Sequence, residues 1–204
     1  MMSAALMSWE EPLARTELAA EVARLRQGDP EALDPLLARY QNRLYRYLLR
    51  LVRDQATAED LFQQTWLRVV EKVHQYDALR SFEAWLFALA HNLAIDHLRR
   101  YRPESLDELL SPDEPRHMQF PGAGPDALDR ALRLERAGLV VEALDELPAV
   151  YRELLSLRFE EEMKLVEIAE VLDVPLSTVK TRLKRGLERL RERLVNLAPR
   201  EMGQ

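Results

Sequence analysis

Between Pro103 and Pro125 the chain carries Pro103, Pro112, Pro115, Pro121 and Pro125, with Gly122 and Gly124 close to the last two. Each internal proline removes a helical hydrogen bond and clashes with the preceding turn, so no long helix crosses this stretch. The runs on either side are long and free of such breakers. The chain is therefore expected to form two helical bodies joined by an irregular tether. That tether, residues 103–128, is acidic, with Glu104, Asp107, Glu108, Asp113, Glu114 and Asp126 set against Arg116. Basic residues gather on its flanks, at Arg99, Arg100 and Arg102 before it and at Lys180, Arg182, Lys184, Arg185, Arg189, Arg191 and Arg193 after it. A formal net charge of -6 thus conceals two cationic surfaces, an arrangement suited to two separate contacts with nucleic acid.

The stretch Ser81 to Arg100, SFEAWLFALAHNLAIDHLRR, predicts a helix capped by Ser81. Phe82, Leu86, Leu89, Leu93 and His97 recur at three- and four-residue steps and are expected to form its buried face. A second strip holds Trp85, Ala88, Asn92, Asp96 and Arg99, with Arg100 beside it. An aromatic ring stacks on an unpaired base, an amide reads a base edge and guanidinium groups hold phosphates, so this strip is chemically suited to a splayed DNA strand. An ordinary amphipathic helix with a core Trp and solvated arginines is the plainer alternative.

Three more helices are expected before it. The first is capped near Thr16 and runs through Leu18, Val22 and Leu25 to a stop at Gly28; residues 1–15 are expected to be a disordered segment. The second starts at Asp29-Pro30 or at Asp34-Pro35, each a cap followed by proline. It carries Leu36, Leu37, Tyr40, Leu44, Tyr47, Leu48 and Leu51, with Arg39, Arg43, Arg46, Arg50 and Arg53 outside as a solvated face, DNA backbone contact being the alternative. The third is capped by Thr57, with Asp60 placed as in a capping box, and continues to about Gln75. Residues 16–102 then make a four-helix domain.

Beyond the tether, residues 129–197 read as a second domain, with 198–204 a tail. A helix to Leu147 precedes one from Ala149 to Glu160 that has Pro148 at its first position. KLVEIAEVL, the break Asp173-Val174-Pro175 and the basic STVKTRLKRGLERLRERL form the pattern of a helix-turn-helix, with small Ala169 where the helices cross. Thr178, Lys180, Thr181, Arg182, Lys184 and Arg185 are the candidate readers of bases and phosphates. Val179, Leu183, Leu187, Leu190 and Leu194 are the expected buried stripe. A helical hairpin with a charged outside is the alternative.

Other chemistries find little support. There is no cysteine, and His74, His91, His97 and His117 lack paired ligand spacing, so no metal or other cofactor is expected. No carboxylate pair, activated nucleophile or glycine-rich phosphate loop appears at a usable spacing, which argues against an enzyme. Neither a membrane span nor a secretory signal is present, so a cytoplasmic protein without membrane insertion is expected.

The segments AEDLFQQTWLRV, SFEAWLFALAHNLAIDHLRR, LDELPAVYRELLSLRF and EIAEVLDVPLSTVKTRL resemble, in order, those of the bacterial extracytoplasmic-function (ECF, group IV) RNA polymerase sigma factors. The resemblance spans about residues 18–197. It implies an all-α chain whose first domain binds the clamp of RNA polymerase core and opens the -10 promoter element, while the second reads the -35 element. It further implies that Glu59, Asp60, Gln63 and Gln64 lie on the core-binding surface and that Tyr76 to Ser81 form a loop capturing an extruded base. Asn92, Asp96, Arg99 and Arg100 would then lie on the melting helix. Tyr76, Phe82 and Trp85 are counted with the -10 contacts.

Where the family usually has Gly, this chain has Glu162, Asp173 and Ser177; Gln64 replaces a Glu and Leu187 an Arg. Asp173 is expected to tolerate a left-handed backbone, and Gly186 to cost its helix roughly 1 kcal/mol relative to Ala. The resemblance also implies an anti-sigma factor as partner. The tether is expected to stay mobile until it enters a positively charged channel of the polymerase. An autonomous helix-turn-helix regulator and a protein-binding helical adaptor are the rival functions.

Overall fold

The structure, a computed structural model, describes residues 16–101, 140 and 142–201, with side chains as far as Val195. The N-terminal segment 1–15, the tether 103–128, its acidic residues and most of the helix expected from residue 129 lie outside the described residues. Those described contain helices, turns and no strand.

Helix α1, residues 16–26, buries Val22 and Leu25 and ends where Gly28 takes φ +87°, a conformation that costs glycine least. Of the two candidate starts for the next helix only Asp29-Pro30 acts as a cap, and neither begins the long helix. Asp29 caps only a short 3-10 turn, Pro30–Ala32, through Glu31 N at 3.0 Å, and its other carboxylate oxygen accepts from Arg24 Nε at 2.8 Å. Helix α2, Leu33–Val52, follows directly, so Asp34 lies inside its first turn rather than capping it. Leu36, Tyr40, Leu44, Tyr47, Leu48 and Leu51 are buried, as their spacing predicts, whereas Leu37, expected with them, is only half-buried.

Helix α3, Gln55–Lys72, corrects the expected cap. Asp54 is the capping residue, its Oδ2 accepting from Thr57 N at 2.9 Å and from Thr57 Oγ1 at 2.6 Å. An extended Asp54 three residues before Thr57 reaches the free amide that Thr57 itself carries, so Thr57 is the capped position. The helix buries Ala58, Leu61, Thr65, Trp66 and Val69, then tightens into the 3-10 turn Val73–Gln75.

Helix α4, Phe82–Tyr101, starts under Ser81, whose Oγ accepts from Ala84 N at 3.2 Å. Its buried seam is Phe82, Leu86, Phe87, Ala90, Ala94 and Leu98, whereas Leu89, Leu93 and His97 are only half-buried. The buried face is thus rotated from the expected one, toward Phe87 and the alanines. Aromatic contacts join α4 to α2: Tyr40 with Phe82 at 5.9 Å and Tyr47 with Phe87 at 5.2 Å between ring centroids. Arg43, one of the arginines expected to be solvated, pairs with Glu83, and Arg39 lies 3.7 Å from Glu21.

In the C-terminal part, a helical turn at residues 142–145 leads to α5, Ala149–Phe159. Pro148 is extended and precedes the first helical residue instead of occupying it. The buried Arg152 guanidinium donates to the carbonyls of Asp145 at 2.9 Å and Leu147 at 3.2 Å, satisfying acceptors that the preceding segment leaves open. Helix α6, Leu165–Val171, and helix α7, Leu176–Glu201, complete the part. The core joins Leu147, Val150, Tyr151 and Leu155 to Leu144, Leu183 and Leu190.

By internal contacts the chain divides into two compact units, Met1–Asp96 and His97–Gln204, a division that falls within α4.

Candidate nucleic-acid interface

Three surfaces carry the residues singled out from the sequence. On α7, Val179 and Gly186 are buried, with Leu183 and Leu190 partly buried, and Leu183, Gly186 and Leu190 form the seam toward α5. Leu187, expected in that stripe, is 37% exposed. It lies one residue, about 100°, beyond the seam position that Gly186 occupies. Ser177, Lys180, Thr181 and Lys184 share the opposite, exposed face, where Leu187 continues the line. Thr178, Arg182 and Arg185 are half-buried along its flank. The Lys184 ammonium lies 4.0 Å from Glu188, a surface pair that holds it weakly. Arg189 points elsewhere, its guanidinium 5.3 Å from the Tyr151 ring centroid.

The turn that presents this helix runs through Asp173 at φ +50°, and the other end of α6 is preceded by Glu162 at φ +55°. Both positions, where the resemblance expects glycine, therefore keep the left-handed backbone without it. Val174 N donates to Ala169 O at 3.1 Å across the break.

The second surface is the α3 face. Glu59, Asp60, Gln63 and Gln64 are all exposed, Glu59 accepting from Gln55 Nε2 at 3.0 Å. Two large apolar side chains passed over in the sequence, Leu67 and Val70, are 64% and 49% exposed beside them. A shallow cleft there is lined by Gln64, Leu67, Arg68 and Glu71. The spacing Asp60, Gln64, Leu67, Glu71 contained the signal, since steps of four and three return to one helical face.

The third surface is formed by the 76–81 loop and α4. Asn92, Asp96, Arg99 and Arg100 are exposed, as a strand-binding strip requires. The aromatic members are placed differently. Tyr76 and Phe82 are buried, and Trp85 is half-buried with its ring 5.2 Å from that of Tyr76 and 5.6 Å from that of Phe82. The three rings form a platform beneath the loop, so Phe82 and Tyr76 are not free to stack on a base in this conformation. Burial is the main cause that raises the Tyr76 hydroxyl pKa, with the Asp77 charge adding to it. Above the platform, Leu79 is 95% exposed.

Among the described residues no helix is long and apolar enough to cross a membrane. Residues 36–104 match the family model described as Sigma-70 region 2, and residues 137–190 that described as Sigma-70, region 4. The ECF RNA polymerase sigma factor SigW of Bacillus subtilis is 31% identical over 179 residues, which cover 86% of this chain and 96% of that protein. The RNA polymerase sigma factor CarQ of Myxococcus xanthus is 33% identical, covering 85% and 95%. In fold, the chain is similar to CnrH, solved in complex with the cytosolic domain of CnrY, at a TM-score of 0.62 and 24% identity, covering 88% of this chain and 98% of that one. It is likewise similar to the sigma factor RpoE of Bartonella quintana, solved with the anti-sigma factor NepR, at a TM-score of 0.57 and 23% identity, covering 79% and 96%. With both sigma regions present in order and relatives matched over nearly their whole length, the chain belongs to the ECF RNA polymerase sigma factors, the subunits that direct RNA polymerase to begin transcription at particular promoters.

Proposed function

We propose that the three exposed surfaces divide the work of initiation. The α3 face, with Glu59, Asp60, Gln63 and Gln64, meets the clamp of the polymerase core. The loop 76–81 and the strip Asn92, Asp96, Arg99 and Arg100 take the unpaired strand of the -10 element. Lys180, Thr181 and Lys184, with Thr178, Arg182 and Arg185 alongside, enter the major groove at the -35 element. Tyr76, Phe82 and Trp85 support the loop from below. The observation that carries this reading is the exposure of polar and cationic side chains on the face of α7 opposite Val179 and Gly186, in a helix-turn-helix whose second helix is otherwise packed.

The chain supplies no catalytic group of its own, and nucleotide addition belongs to the polymerase. It works in the cytoplasm, where polymerase and promoter DNA meet. CnrH and RpoE were each solved with a protein partner, RpoE with an anti-sigma factor. By that likeness an anti-sigma factor occludes these same surfaces here. Without cysteine, a thiol-based redox signal must be sensed in that partner.

The test is reconstitution. The purified chain is mixed with core polymerase, and transcripts started on genomic DNA are sequenced. Core alone gives none at the positions the mixture uses, and the isolated chain binds those promoter duplexes weakly because its cationic residues are split between two parts. Tight, sequence-specific duplex binding by the isolated chain would instead support the autonomous regulator.

A further inference from the structure

The chain carries 29 lysines and arginines, and only Lys72, Lys164, Lys180 and Lys184 among them are lysines. Two of these stand on one face of α7, a single helical turn or about 6 Å apart along the axis. Both are exposed, Lys184 over 66% of its side chain, and they share that face with the uncharged Ser177, Thr181 and Leu187. Arg182 and Arg185 lie half-buried alongside. Arginine, the usual cation of this chain, holds phosphate and reads guanine as well as lysine does, so neither task explains lysine here. What lysine has and arginine lacks is an amine that can be acylated with loss of its charge.

The surroundings of the four lysines differ. Lys164 follows Glu160, Glu161 and Glu162, and its backbone N–H donates to the Glu167 carboxylate at 2.7 Å. Lys72 is half-buried and follows Glu71. Lys180 and Lys184 have each other and Arg185 as neighbours instead, with the Glu188 carboxylate 4.0 Å from the Lys184 ammonium. A small dianion is therefore drawn to the α7 pair and repelled from Lys164.

We propose that Lys180 and Lys184 form an acylation site for acyl phosphates, and that acylation switches off reading of the -35 element. This rests on the assignment of α7 to that element. The amine form of Nζ attacks the acyl carbonyl carbon. A C–N bond forms, the C–O bond to the phosphate breaks, inorganic phosphate leaves with the electron pair, and the proton lost from nitrogen goes to water. The product is a neutral amide, so acylating both residues removes two positive charges from the face that meets DNA. Packing against α5 is made by Leu183, Gly186 and Leu190 and stays as it was.

The test has two arms. In the first, the folded full-length chain is incubated with acetyl phosphate, and acetylation of each lysine is followed by peptide mass spectrometry. Lys180 and Lys184 are expected to react about threefold faster than Lys72 and Lys164. Equal rates would overturn the inference. In the second, acetyllysine is placed at both positions during synthesis and the chain is assembled with core polymerase. This holoenzyme should bind the -35 duplex of a promoter, found by sequencing transcripts started in vitro, about a hundredfold more weakly than the unmodified one. Its salt slope should fall by about two, and its affinity for core should stay unchanged. An equal loss of core affinity would mean general damage and would overturn the switch. If the two lysines react faster yet the acetylated holoenzyme binds the duplex normally, the assignment of α7 to the -35 element falls. If they react no faster while the acetylated holoenzyme binds weakly, only the present inference falls.

Discussion

Asp54 and Thr57 are joined twice, the Asp54 Oδ2 accepting from both the backbone N–H and the hydroxyl of Thr57. That relationship leaves Asp60, six residues on, with no capping task, and it separates stability from assembly on one helix. Asp54→Ala is expected to lower stability by about 1 kcal/mol, read as a shift in the thermal midpoint, while leaving core binding per folded molecule intact. Asp60→Ala should leave the midpoint unchanged and weaken core binding in a pull-down titration.

Gly186 sits where α7 approaches α5. A Cβ built on it meets Tyr151 Cβ at 3.4 Å and Leu155 Cδ1 at 3.5 Å, ordinary contact with almost no spare room. Gly186→Ala should therefore be neutral or stabilise by up to about 1 kcal/mol through helix propensity. Gly186→Leu should destabilise by roughly 1 to 3 kcal/mol through overpacking. Urea midpoints measure both.

The readers on α7 should separate by the kind of contact each makes. Lys180→Ala or Lys184→Ala is expected to cost about 1 to 3 kcal/mol of -35 binding if the side chain reads a base. If it holds a phosphate, the loss should be alike across sequences, with the salt slope reduced by about one. Fluorescence anisotropy of holoenzyme on matched and mismatched duplexes at several salt concentrations distinguishes the two. Loss of the Lys184–Glu188 pair itself should be nearly silent in stability.

Tyr40 sets an alkaline limit. Burial is the main cause that raises its hydroxyl pKa, and the Glu83 carboxylate adds to it. Because the folded pKa lies above the unfolded one, near 10, the stability contribution is complete below about pH 10 and is lost as pH rises toward the folded pKa. Tyr40→Phe keeps the ring contact with Phe82 and should lose less stability between pH 9 and 11 than the parent chain does, measured by urea denaturation in matched buffers.

The periodic runs made most helices legible, and so did the break at Asp173-Val174-Pro175. Contact-dependent details were not. Which of Asp54 and Thr57 caps α3 depends on backbone direction at one residue, and both types are good caps. Leu187 satisfies a leucine repeat as well as Leu183 and Leu190 do, yet the close passage of α5 at Gly186 turns the seam away from it. On α4, Leu89 and Leu93 continue the apolar repeat yet are only half-buried, while Ala90 and Ala94 are buried. In the candidate site, the chemistry of Trp85 and Tyr76 was plain from residue type, but whether an aromatic ring is a platform or a contact is set by burial. The left-handed backbone at Asp173 was expected only through the resemblance, which places glycine there, with Asp a residue type that tolerates it. Leu67, Val70 and Leu79 were not singled out, since an exposed leucine looks like a core leucine until its neighbours are placed.

The division of α7 into a seam and an exposed face also bears on how this chain can diversify. Substitutions at Ser177, Lys180, Thr181 and Lys184 touch little of the packing around Val179, Gly186 and Tyr151, so changes on the two faces are nearly independent in energy. A duplicated copy of the gene could thus drift to a new set of promoters one residue at a time. Each intermediate would stay folded, and no compensating change in the core would be needed.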